Sequence, residues 1–204
     1  MDRRTSIKWM MTAASLPLWD NPAWALAPIK PIAGYGTDPN VVKVYRPGEL
    51  WPLTFDEKQR IAAAALCAAI IPADGKSPGA AQVKVHVFID EWISAPYPRH
   101  AKDRELIVEG LTWMDDESAR RFAKPFAKLT DAQQRAICDD ICWAAAAKPE
   151  FAKAAKFFSR FRDLTTDGFY TTPEGMKDIG YTGNKPSATF DGPPIAALKK
   201  AGVI

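Results

Sequence analysis

Three cysteines and two histidines are the only thiol and imidazole groups in this 204-residue chain, and their spacing limits the chemistry they can carry. Cys67, Cys138 and Cys142 form no C-x-x-C, so neither a redox-active pair nor a zinc knuckle is encoded. Three thiolates are enough for a small iron–sulfur cluster, but Cys67 belongs to an alanine-rich helical stretch and the other two sit one turn apart on another, which argues against ligation. Four residues apart on one helix, Cys138 and Cys142 hold their Cβ atoms about 6 Å from each other, beyond the roughly 4 Å of a disulfide. A bond from Cys67 to either one stays open, as does pairing of an odd cysteine with another chain; buried free thiols are the commoner outcome. No helix around His86 or His100 is regular enough to fix a ligand pair, so each reads as a surface or core-edge histidine. Asp115-Asp116-Glu117 and Asp139-Asp140 invite an acid–base reading, yet consecutive residues on a helix point in different directions and belong to solvated faces. Gly180-Tyr181-Thr182-Gly183-Asn184 follows no strand and opens no long helix, so it is not a dinucleotide fingerprint. The sequence predicts no catalytic, cofactor-binding or metal-binding residue.

The most specific local signal is N-terminal. Arg3, Arg4 and Lys8 lead into an apolar stretch from Trp9 to Trp19, followed by the small-x-small sites Ala23-Trp24-Ala25 and Ala25-Leu26-Ala27. Charged, then apolar, then cleavable is the order of a secretory signal, and the paired arginines point to the twin-arginine route. Asp2 and Ser6 depart from the residues usual around such a pair; the alternative is a basic arm ahead of a short amphipathic helix. Pro28 stiffens the backbone after Ala27, which favours cleavage after Ala25 and a signal over residues 1–25. The expected location is the periplasm. Twin-arginine export serves chains that have already folded, often around a cofactor or with a partner, and a small protein without a cofactor motif gains little from it alone.

Around these features the chain must build a core. With 47% hydrophobic and 25% charged residues it has ordinary globular composition, and no run approaches the roughly 20 apolar residues of a membrane span. A net charge of +3, with basic residues alternating with acids as in Asp103-Arg104-Glu105, argues against a nucleic-acid partner. Residues 26–53 are rich in Pro and Gly and predict an extended arm. Thr54, with Glu57 three residues on, predicts a capping box opening a first helix through Ile61, Ala64, Ala65, Ala68 and Ile71, which Pro72 stops. A loop over 72–79 leads to a second helix ending near Ser94, although Val83 to Val87 alternates briefly like a strand. A third is expected over about 102–122, a fourth from Thr130 with Gln133 completing a capping box and an end near Lys148, and a fifth carrying Phe151, Ala154, Ala155, Phe158 and Arg162. The expected fold is all-α, a bundle of about five helices over 54–163. Residues 164–204 are broken by Gly and Pro yet carry Phe169, Tyr170, Tyr181 and Phe190; a disordered tail has few aromatics, so this predicts an irregular arm packed on the bundle or on a partner. Phe169, Tyr170, Tyr181, Asn184 and Phe190 are its candidate interface residues.

Four blocks carry a resemblance: Ile70-Ile71-Pro72-Ala73-Asp74 with Pro78-Gly79-Ala80; Gly110-Leu111-Thr112-Trp113-Met114-Asp115; Phe126-Ala127-Lys128-Leu129-Thr130 with Gln134; and Phe169 through Asn184. Together with the leader they make the chain similar to subunit 3, or gamma, of membrane-associated FAD-dependent dehydrogenases of the gluconate 2-dehydrogenase kind. The resemblance implies a non-catalytic small subunit bound to a large flavoprotein of the glucose-methanol-choline type that acts on a sugar, glucoside or sugar acid. It implies further that FAD and an iron–sulfur cluster sit in that partner and none in this chain, that the partner lacks a leader and is exported with this chain as escort, and that electrons pass to a cytochrome c. The blocks are then packing and docking residues. The competing reading, an independent periplasmic enzyme or ligand-binding protein, needs a convergent polar constellation in a pocket.

Overall fold

Side-chain caps at Asp56, Thr130 and Thr172 open three of the helices. In the computed structural model, which describes residues 45–181, 183 and 192–204, seven α-helices and no strand occur among the described residues. They are α1 (Glu57–Ile70), α2 (Val85–Ser94), α3 (Pro98–Phe122), α4 (Asp131–Ile141), α5 (Ala152–Tyr170), α6 (Pro173–Asp178) and α7 (Ile195–Lys200). The all-α expectation holds, with α1 to α5 as the bundle. Thr130 caps α4 as expected: its hydroxyl accepts the Gln133 N–H and the Gln133 side chain accepts the Thr130 N–H. For α1 the expected cap was displaced by two residues. Asp56 takes the role, with Gln59 as its reciprocal partner, because Thr54 is engaged elsewhere: its N–H donates to Asp90 Oδ1 (2.9 Å) and Ser94 Oγ (2.8 Å).

Packing centres on α5, which lies against α1, α2, α3, α4 and α6. Ala154, Ala155, Phe158, Phe161, Thr165, Gly168 and Phe169 recur at helical spacing, and all are buried. This stripe explains the main departure from expectation. The helix does not break at Leu164 but runs on to Tyr170, and Gly168 is one of its packing residues: a Cβ there would stand 2.6 Å from the Phe88 ring and 2.8 Å from Val85. Glycine here admits a neighbouring helix. Only after Tyr170 does the chain turn, at a corner in which Thr172 Oγ1 donates to Phe169 O (2.7 Å) and accepts the Gly175 N–H (3.0 Å), with Pro173 as first residue of α6. A Cβ on Gly175 would stand 2.1 Å from Phe169 O, so the corner closes only with glycine. At the other end of the bundle α4 stops at Ile141, short of the expected Lys148, since Cys142 to Ala146 present no face to the core and are exposed.

Ahead of α1, residues 45–55 form a strap along α2. Phe55 N–H donates to Asp90 Oδ1 (3.0 Å), Trp51 Nε1 donates to Glu91 O (3.3 Å), and the Glu91 carboxylate receives the Gly48 N–H. Asp90 is thus a buried side chain whose Oδ1 ties the strap to α2 by accepting the Thr54 and Phe55 N–H groups and the Ser94 hydroxyl, while its Oδ2 has no hydrogen-bond partner.

Candidate subunit interface

Three polar clusters converge in the folded chain, and each is closed on itself. In the first, Asp103 on α3 receives Arg160 Nε and Nη2 from α5 (2.9 and 2.6 Å) and Trp92 Nε1 from α2 (2.9 Å). His100 stacks on Trp92 with ring centroids 4.3 Å apart, donates Nδ1–H to Trp92 O (2.7 Å) and accepts Arg99 Nε at Nε2 (3.0 Å). Both ring nitrogens are thus engaged in hydrogen bonds, and burial holds the imidazole pKa below its usual value. Burial also opposes charge on Asp103, but the bonds from Arg160 and Trp92 outweigh it and hold the carboxyl below its usual range. The result is a clasp joining α2, α3 and α5. Its His–Asp spacing, three residues apart, was legible once a helix is granted at Pro98.

In the second cluster, bonds from Arg120 together with Arg121 bring Glu117 down to about 2 against the penalty of its own burial, and Arg121 bridges onward to Asp140 on α4 (2.7 Å). Thus Glu117 and Asp140, members of two acidic runs that read as solvated, join α3 to α4 through an arginine. In the third, Arg104 donates to Ile93 O (2.6 Å), Ser94 O (3.2 Å) and Ala95 O (3.3 Å), carbonyls at the end of α2, the last of which also accepts the Tyr97 N–H. Among the described residues no group of three or more His, Cys, Asp or Glu side chains could hold a metal ion.

The cysteines are free thiols. Burial pushes Cys67 up to about 12, partly offset by Thr165, and Cys138 is pushed up to about 12 by burial as well; Cys142 is exposed. The candidate interface residues separate. Phe169 belongs to this chain's own core with no surface exposed, a correction to its assignment as an interface residue. Tyr170 is half-buried against the same core, with its ring 5.1 Å from Phe169. Tyr181 is 56% exposed and remains available to a partner. Asn184 and Phe190 lie outside the described residues, as do Arg3, Arg4, Lys8, Ala23 and Ala25.

Among the described residues, neither histidine nor any cysteine lines the three grooves that follow. One of about 420 Å³ runs between Ala68, Ala69, the 72–82 loop and Asp131 to Arg135; a second, about 260 Å³, lies between α3 and α5; the third, about 460 Å³, lies beside Ile61. The model for gluconate 2-dehydrogenase subunit 3 matches residues 57–192, from the first residue of α1 to beyond α6. The chain belongs to the gluconate 2-dehydrogenase subunit 3 family. No curated protein and no solved structure matches it. Within this subunit 3 chain the four blocks mostly build corners and close contacts. Gly79 lies against the Ile71–Ala73 backbone, where a Cβ would stand 2.6 Å from Ala73 N; Gly110 faces Phe157; Gln134 Nε2 holds Phe126 O (3.0 Å); and Phe169 to Gly175 form the α5–α6 turn. Among the described residues no helix is long and apolar enough to cross a membrane.

Proposed function

We propose that the chain is the non-catalytic small subunit of a periplasmic dehydrogenase complex whose large subunit, a flavoprotein of the glucose-methanol-choline type, carries FAD and an iron–sulfur cluster. Its work is to accompany that subunit through the twin-arginine pathway and to hold it in the complex, from which electrons pass to a cytochrome c. The observation that carries this reading is membership of a dehydrogenase subunit family over the whole helical bundle. The chain's own chemistry agrees with it: the polar clusters are consumed in joining helices, the low-pKa carboxylate Glu117 is held by two arginines, and two of the three thiols are buried.

The reading is tested in the native host. Replacing Arg3 and Arg4 together by Lys keeps the charge but removes the guanidinium pair. Both this chain and the large flavoprotein are expected to vanish from the periplasmic fraction, along with periplasmic dye-reducing activity. Undiminished flavoprotein in the periplasm of that strain would sink the escort role. Bound flavin on the separately purified small subunit would sink its non-catalytic assignment.

A further inference from the structure

The largest of the three grooves lies where α1, the end of α3 and the turn over 125–128 meet. Its floor is apolar, formed by Ile61, Ala62, Ala119, Pro125 and Ala127. Ile61 stands in the middle of its helix register yet keeps 50% of its surface open to solvent. The rim is charged and unevenly so. Lys58, Lys124 and Lys128 face it, against Asp115 and Asp116. Asp115 is committed to the fold, since its Oδ1 accepts the Phe126 N–H (2.9 Å) and so fixes the turn that walls the groove. Among the described residues none of the three lysines is in an ion pair, and Asp116 is the one carboxylate of the groove left unengaged.

We infer that this groove seats the large flavoprotein subunit, taking one of its apolar side chains from a segment flanked by acidic residues. The inference rests on the reading of the chain as a partner subunit. Apolar floor and charged rim are the arrangement of a docking interface, in which the anchor fills a dry centre and the rim sets register and encounter rate. The charge decides the occupant's sign: three ammonium groups, none of them in an ion pair, against two carboxylates, one of them tied to the Phe126 N–H, leave the rim net positive and favour a negative segment. Two of the blocks singled out in the sequence meet here, Gly110 to Asp115 and Phe126 to Thr130, tied together by the Asp115–Phe126 bond. Their convergence gives the groove a rigid wall, which lowers the cost of docking.

The test uses the full chain, affinity-tagged and co-expressed with the large subunit, whose recovery is read by flavin absorbance and peptide mass. Two variants are compared with the unaltered chain: Ile61→Asp, and the triple Lys58→Glu, Lys124→Glu, Lys128→Glu. All four residues are exposed, so thermal melting should stay near that of the unaltered chain; if Ile61→Asp fails to fold, the lysine triple carries the test. Each variant should recover at least tenfold less flavoprotein, and a Lys→Gln triple should weaken the salt dependence of the complex. Equal recovery from folded variants overturns the groove assignment while leaving the partner-subunit reading intact. No flavoprotein recovered even by the unaltered chain overturns that reading itself. Anionic phosphatidylglycerol vesicles serve as the second arm: vesicle binding lost in the lysine triple, with flavoprotein recovery unchanged, would make the groove a lipid-facing surface and overturn the proposal.

Discussion

Gly110 on α3 meets Phe157 on α5 so closely that a Cβ at position 110 would stand 2.0 Å from the ring. Phe157 is 1% exposed and packed on Phe161, with centroids 5.7 Å apart, so a methyl at position 110 must displace the ring from this packing, toward the α3–α5 groove that both residues line. Alanine would gain about 1 kcal/mol of helix propensity at position 110, but overpacking a filled core costs about 1–3 kcal/mol, and at this separation the upper end applies. Gly110→Ala is therefore expected to lower stability by about 2 kcal/mol and Tm by several degrees, measured by thermal circular dichroism. An unchanged Tm would mean the α3–α5 contact is looser than it stands here.

The Glu117 cluster gives the bundle an acid limit. Its carboxyl is depressed from 4.5 to about 2 by bonds from Arg120 and Arg121, so the stabilisation is complete above the unfolded-state value and is lost as pH falls through the folded one. Arg120 is 66% exposed, so solvent screens part of the interaction, and the contribution is about 2 kcal/mol. Stability measured by urea unfolding should fall between about pH 4.5 and pH 2. In Glu117→Gln that slope should flatten and the stability at pH 7 should fall by a similar amount. A pH profile identical in both proteins would remove Glu117 from the account.

The thiols are expected to differ sharply in reactivity. With Cys67 and Cys138 buried and pushed up to about 12, only exposed Cys142 should be alkylated by iodoacetamide in the native chain at pH 8. Denaturation should release the other two. Mass spectra showing one adduct before and three after would establish three free thiols; a pair that resists alkylation after denaturation without reductant would reveal a disulfide instead.

Local signals were read well where one residue type has one use. The Thr130–Gln133 box and the stop at Pro72 stand as the sequence implied, whereas α1 buries Ala62, Ala63, Leu66 and Cys67 and not the expected face of Ile61, Ala64, Ala65, Ala68 and Ile71, of which Ile61 and Ala68 are exposed. Failures came where a residue has two uses. Thr54 suits an N-cap, but its hydroxyl and N–H are taken by the α2 residues Asp90 and Ser94, a contact across 36 to 40 positions that no local pattern contains. Gly168 looks like a breaker in sequence and is a contact point in space, because the identity of its neighbours on α2 decides. The clasp at Asp103 was missed for the same reason. Arg160 and Asp103 are 57 residues apart, and only the bundle brings them within 2.6 Å.

The placement of Phe169 changes what truncation should do. An arm beginning at Leu164 would be removable, leaving the bundle folded. In the structure Leu164, Thr165, Gly168 and Phe169 are buried parts of α5, and Phe169 packs with no exposed surface. A chain ended after Asp163 loses this stripe and the contacts of α5 with α2, so it is expected not to fold, whereas a chain ended after Tyr181 keeps α5 and α6 whole and should melt cooperatively. Single substitutions separate core from surface more finely. Phe169→Ala should cost about 3–5 kcal/mol, the range for an emptied aromatic site. Tyr181→Ala, at 56% exposure, should alter stability by less than about 0.5 kcal/mol. Any role of Tyr181 in the complex would then appear as lost flavoprotein recovery at unchanged Tm, a signature Phe169 cannot give because its loss lowers Tm as well. A cooperative melt from the chain ended after Asp163 would show that the stripe beyond Leu164 is dispensable and would restore it to the docking arm.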